Sequence, residues 1–173
     1  MKKASLNNEF NIGGLCRVFF THAANVKKIS YPDENHQVTV ELMPGFDWNE
    51  IYFTPTAEDV RIDQVNDESG VWYKIAAKLI NPKLTPEKAA TFSSLEMRDL
   101  VFWFQDNNQV NMLVGTTKMP ATLTYQLSNP GKGRNQREVN IACFSDQEPF
   151  YIKSMIVNPD GAFSDGFSQG FHI

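Results

Sequence analysis

Apolar and polar residues alternate with a period of two along much of the chain, the pattern of strands with one buried face. Gln37 to Met43 shows it most simply, with Val38, Val40 and Leu42 on one face and Thr39 and Glu41 on the other. The Pro44-Gly45 pair ends that strand. Leu15 to Thr21 reads as an earlier strand and Glu50 to Thr54 as a short one. Val60 to Val65 leads through the polar turn Asn66-Asp67-Glu68-Ser69-Gly70 into a longer arm, where Val71, Tyr73, Ile75, Ala77 and Leu79 alternate with Trp72, Lys74, Ala76 and Lys78. These two arms predict a long hairpin.

Asn81-Pro82 stops the second arm, and Thr85-Pro86-Glu87 carries the features of a helix start. A threonine hydroxyl can accept from free backbone N–H groups, proline suits the first turn, and glutamate complements the positive helix end. One helix is predicted over about 86–97, with Ala89, Phe92 and Leu95 on the face toward a sheet. The next run, Leu100-Val101-Phe102-Trp103-Phe104, is apolar on both faces, so the strand is either central or covered on one side by the helix or a neighbouring subunit. Asp106 to Gln109 turns the chain into Met112 to Thr116. Thr122 to Ser128 and Glu138 to Phe144 then alternate again around the loop Asn129 to Asn135. Many short strands and one helix predict a mainly β protein: an antiparallel β-sandwich or partly closed barrel with one flanking α-helix. A single domain over 1–158 is expected, followed by a Gly/Ser/Phe-rich tail over 159–173 in which F-S-x-G recurs every four residues.

Composition agrees with a packed domain. An apolar fraction of 42% with thirteen Phe is far from the composition of a disordered chain, and 173 residues suffice to bury roughly 70% of the unfolded surface. The net charge of −4 argues against general nucleic-acid binding, which needs a surplus of Lys and Arg. No apolar run approaches the ~20 residues of a membrane helix. After Lys2 and Lys3, the polar residues Ser5, Asn7, Asn8 and Glu9 interrupt any signal-peptide core, so cytoplasmic synthesis is expected. Cys16 and Cys143, both within apolar segments, read as buried free thiols.

Candidate chemistry is sparse. Gly166-Phe167-Ser168-Gln169-Gly170 matches the G-x-S-x-G nucleophile pattern, but no helix can follow in the three remaining residues. Gly131-Lys132-Gly133-Arg134 lacks the spacing of a phosphate loop and joins two strands. As an exposed loop, Lys132, Arg134 and the nearby Arg137 would be placed to pair with acidic groups of another subunit. The acidic cluster Asp63, Asp67 and Glu68 departs from the calcium-loop pattern at Val65, and His22, His36 and His172 show no metal-ligand spacing. No enzyme activity, metal or cofactor is expected.

The run Leu100 to Gln109, the Met112-Leu113-Val114-Gly115 return, the strand Ala121 to Leu127, the loop Gly131 to Arg137 and the closing strand Val139 to Phe144 resemble phage and prophage tail structural proteins. The resemblance is strongest to tail tube proteins of phages infecting the Bacteroidetes group, with Gln109 standing where glycine is more usual. It implies a virion subunit made in the host cytoplasm, assembled into stacked, hexameric rings that conduct DNA without gripping it, alongside other tail proteins. Interface candidates on that reading are Trp72 on the long hairpin, Asn107 in the turn, Lys132 and Arg134 in the loop, and Phe163, Phe167 and Phe171 in the tail. Two alternatives stand beside it. One is another tail component, such as a terminator, connector or baseplate adaptor. The other is a carbohydrate-binding β-sandwich that uses Trp48, Tyr52 or Trp72 as a stacking platform.

Overall fold

A computed structural model describes residues 14–54, 59–68, 70–128 and 135–156. The tail over 159–173, the loop residues Lys132 and Arg134, and Phe163, Phe167 and Phe171 lie outside the described residues. Among the described residues, eleven strands fall into two sheets. The seven-stranded sheet runs β2 (Val26–Ile29), β3 (Gln37–Leu42), β11 (Phe150–Ile156), β8 (Asn111–Val114), β7 (Leu100–Asp106), β1 (Leu15–His22) and β4 (Asn49–Glu50). The four-stranded sheet runs β5 (Asp59–Asp67), β6 (Gly70–Pro82), β10 (Gln136–Ser145) and β9 (Thr122–Ser128). Every described pairing between named strands is antiparallel except β3 with β11. The protein is therefore mainly β, a sandwich with one flanking helix.

The main core lies between the sheets. Val18, Phe20, Phe102, Phe104 and Val114 from the larger sheet meet Ile75, Leu79, Leu123, Val139 and Ile141 from the smaller. β7 is apolar on both faces because both are covered. Leu100, Phe102 and Phe104 enter the main core, while Val101 joins a second cluster with Val38, Val40, Leu42 and Ile152. Trp103 packs against that second cluster and stacks on Phe19 with ring centroids 4.2 Å apart. The sheets are stitched at one corner, where Leu100 and Ala121 exchange backbone hydrogen bonds of 2.9 and 2.8 Å.

The helix, α1, spans Pro86–Leu95, two residues shorter than the sequence predicts. Thr85 caps it, its hydroxyl accepting from the Lys88 N–H. Phe92 and Leu95 are buried, but Ala89 is exposed. Residues three apart rotate 60° short of a full circle, so Ala89 and Leu95 stand about 120° apart and one short helix cannot press all three against a sheet.

Two strands escape the sequence reading, β2 and β11. In β2 a pair of lysines interrupts a four-residue run, and β11 becomes a strand by lying beside β3 and β8. The turn after β7 forms as expected. The Asp106 carboxylate accepts from the Asn108 and Val110 N–H groups, each at 2.8 Å. Gln109 then adopts φ 63°, the left-handed conformation that favours glycine. Gln109→Gly is therefore expected to raise stability by about 0.5–1 kcal/mol, seen as a higher urea midpoint at unchanged slope. An unchanged or lower midpoint would contradict this account of the turn.

Candidate functional surface

Assembly surfaces on a β-protein are built from what its sheets leave unpaired, and the β5–β6 hairpin leaves the most. Register between the arms is unbroken from Asp59 opposite Lys78 to Asp67 opposite Gly70. β10 pairs with β6 only as far as Ser145 opposite Tyr73. The last rungs, Val65 with Trp72, Asn66 with Val71 and Asp67 with Gly70, thus project as a two-stranded arm. From Arg61 to Asn66 every side chain of β5 is exposed, whichever face it points to.

Alternation places Val65, Trp72, Lys74 and Phe144 on the outer face of the smaller sheet. Val65 stands opposite Trp72, and Lys74 opposite Phe144, with the ammonium 6.0 Å from the ring centroid. Phe144 is 59% exposed and Val65 is also exposed, whereas Trp72 is half-buried. Farther along the same face, Lys78 pairs with Glu138 at 2.9 Å. The arm therefore carries an apolar patch and the sheet behind it a polar, ion-paired surface.

Trp72 and Asn107, the two interface candidates among the described residues, sit on different sheets. Asn107 is exposed in the β7–β8 turn, where its N–H donates to the Gly14 carbonyl at 3.1 Å. Of the possible stacking platform, Trp48 packs edge-on against Trp103 with centroids 6.1 Å apart, while Tyr52 is exposed. Arg137 overturns its expectation as a surface partner for acidic groups. It is 1% exposed, with its guanidinium carbon 4.6 Å from the centroid of Phe92 and 5.2 Å from that of Tyr125. The reason is phase: Arg137 shares the inward face of β10 with Val139, Ile141 and Cys143. Extending the alternation two residues back from Val139 is the signal that finds it.

Opposite Arg137 on β6, Asn81 is also buried. Its Nδ2 donates to the Tyr52 carbonyl at 2.6 Å, while among the described residues its Oδ1 has no partner, and neither do Nε and Nη1 of Arg137. Asn81 lines a shallow cleft beside α1 with Phe20, Ile51, Thr91, Phe92 and Leu95. Glu50, at the same cleft, is bonded by Arg17 at 2.8 and 3.0 Å, and this partner holds its carboxyl below the usual range.

Both cysteines are free thiols, but only Cys143 is buried; Cys16, on β1, is exposed and donates to the Asp106 carbonyl at 3.1 Å. Burial pushes the Cys143 thiol up to about 11, so it stays protonated and inert at neutral pH. No group of three or more His, Cys, Asp and Glu side chains suited to a metal ion occurs among the described residues. None of the described helices is long and apolar enough to cross a membrane. No protein-family model, no curated protein and no solved structure matches this chain.

Proposed function

We propose that the chain is a structural virion protein, a tail tube subunit that assembles through its β5–β6 arm into stacked rings conducting DNA. The observation that carries this reading is the arm and the sheet beside it: among the described residues β5 has no strand on its outer side, and Val65 on the arm and Phe144 on the adjoining β10 are exposed to solvent. An exposed edge with apolar side chains is a liability for a solitary molecule and an asset for one that joins copies of itself. The acidic balance of the whole chain suits a conduit from which a phosphate backbone must slip free. The sequence resemblance supplies the tail assignment, and the arm supplies the means of assembly.

The test is negative-stain electron microscopy of the untagged protein over a concentration series. Hollow rings that stack into tubes are expected. The double variant Val65→Lys, Phe144→Lys is expected to lose them while keeping its circular dichroism spectrum, because both side chains are exposed. Single rings that never stack would favour a terminator over a tube subunit, and dispersed particles at every concentration would overturn the reading.

A further inference from the structure

Among the described residues four strands end the two sheets, and they differ in what they offer a partner. β4 has two residues. β2 presents Lys27 and Lys28, which repel a second copy, and β9 carries no charge. β5 alone is long and bears both signs, with Arg61 and Asp63 exposed on its outer face and Ile62 between them on the other.

The backbone fixes which residues of β5 can bond outward. Two residues separate Asp67 from Gly70, so their bridge is the hydrogen-bonded kind, and in an unbroken register every second rung repeats it. Asp67, Val65, Asp63 and Arg61 therefore spend their backbone groups on β6. Val60, Ile62 and Gln64 turn theirs to the open edge. An added antiparallel strand must bond these even-numbered residues.

We propose that β5 binds β5 of a second copy of this chain about a two-fold axis through Ile62, merging the two four-stranded sheets. In that register Ile62 exchanges both backbone bonds with its counterpart, and Val60 pairs with Gln64 on either side. Arg61 falls opposite the second copy's Asp63, and Asp63 opposite its Arg61. These are non-hydrogen-bonded positions, where side chains approach most closely. One pairing thus satisfies the free edge, both ion pairs and an Ile–Ile contact. Centring the axis on Asp63 instead would use the same outward backbone groups but set the two Asp63 carboxylates face to face and leave Arg61 opposite Val65.

The inference does not rest on the conduit reading, because a two-fold contact closes on itself whereas a ring needs a head-to-tail one. Sedimentation velocity of the intact chain is expected to show a dimer. Arg61→Asp alone and Asp63→Arg alone each convert two attractions into repulsions and are expected to weaken it by roughly tenfold or more. An equimolar mixture of the two variants restores complementary pairs across the axis, so a mixed dimer should form where neither variant pairs with itself. This mixing readout separates lost association from lost folding.

In a Cys16→Ser background, Ile62→Cys should oxidise to a covalent dimer, since hydrogen-bonded partners sit about 5.5 Å apart at Cα. Val65→Cys should not, because its own copy would lie six residues away along the paired strands, roughly 20 Å. Equal cross-linking at both positions, unchanged association of the charge variants, or a failure of the mixture to recover would overturn the proposal. Dimerisation unchanged in Arg61→Asp, with rings still forming, would remove it and leave the conduit reading standing.

Discussion

Gly115→Ala is expected to lower stability by about 3 kcal/mol or more, far beyond what a methyl group usually does. Gly115 follows β8 with φ 85°, a conformation that costs an L-residue about 1–2 kcal/mol. Space adds the larger share. A Cβ built there lies 2.8 Å from the Ala121 nitrogen and 3.0 Å from the Leu100 oxygen. Those two atoms are bonded to each other at 2.8 Å and form the corner stitch between the sheets. Neither is the end of a flexible side chain, so relief requires the stitch to open.

Gly45 supplies the control. Its φ of 83° is nearly the same, yet nothing lies within 4 Å of the point where a Cβ would stand. Gly45→Ala should cost about 1 kcal/mol, the conformational share alone. In a chain of this size the Gly115 variant should melt roughly 6–12 °C lower than the parent. Equal melting temperatures for the two variants would show that the corner is not tight.

The second large effect concerns Phe92 and Arg137, where removing the apolar partner should harm and removing the charge should help. Phe92→Ala deletes a buried ring that meets Tyr125 edge-on at 6.0 Å and covers the guanidinium, and is expected to cost about 3–5 kcal/mol. Arg137→Met is expected to be neutral or to stabilise by about 1 kcal/mol or more. A desolvated cation–π contact returns about 2 kcal/mol, whereas burying an ion costs several. With Nε and Nη1 unpartnered among the described residues, hydrogen bonds at those atoms do not offset the difference. Methionine keeps the length and lays a thioether against the same rings. Denaturant midpoints of the two single variants and the double variant decide the matter. A loss of more than about 1 kcal/mol in Arg137→Met would mean that the cation is a net stabiliser.

Local pattern makes most of the fold legible. Val38, Val40 and Leu42 announce β3 by period alone, and Thr85-Pro86-Glu87 announces the start of α1, because alternation and capping are properties of neighbouring residues. The two-faced apolar run at β7 fits the central place the strand takes between β8 and β1, where both its faces join core clusters. The polar turn at residues 66–70 likewise leads to the β5–β6 arm, on which the proposed function rests.

Where local pattern misleads, the cause is spatial. Cys16 reads as buried because its neighbours are apolar, yet at the outer rung of β1 it faces solvent. Arg137 reads as exposed because its neighbours are charged, yet the phase of β10 turns it inward under Phe92. Ala89 loses its contact to the geometry of a short helix.

What the chain's own order of residues settles, then, is element type, approximate limits and the inward face of most strands, since these follow from periods of two and 3.6. Folding settles which strands become edges. The parallel seating of β11 beside β3, the open flank of β5 and the stitch from Leu100 to Ala121 all join residues far apart in sequence. Such pairings depend on how two whole sheets stack and close, which no local window of residues encodes.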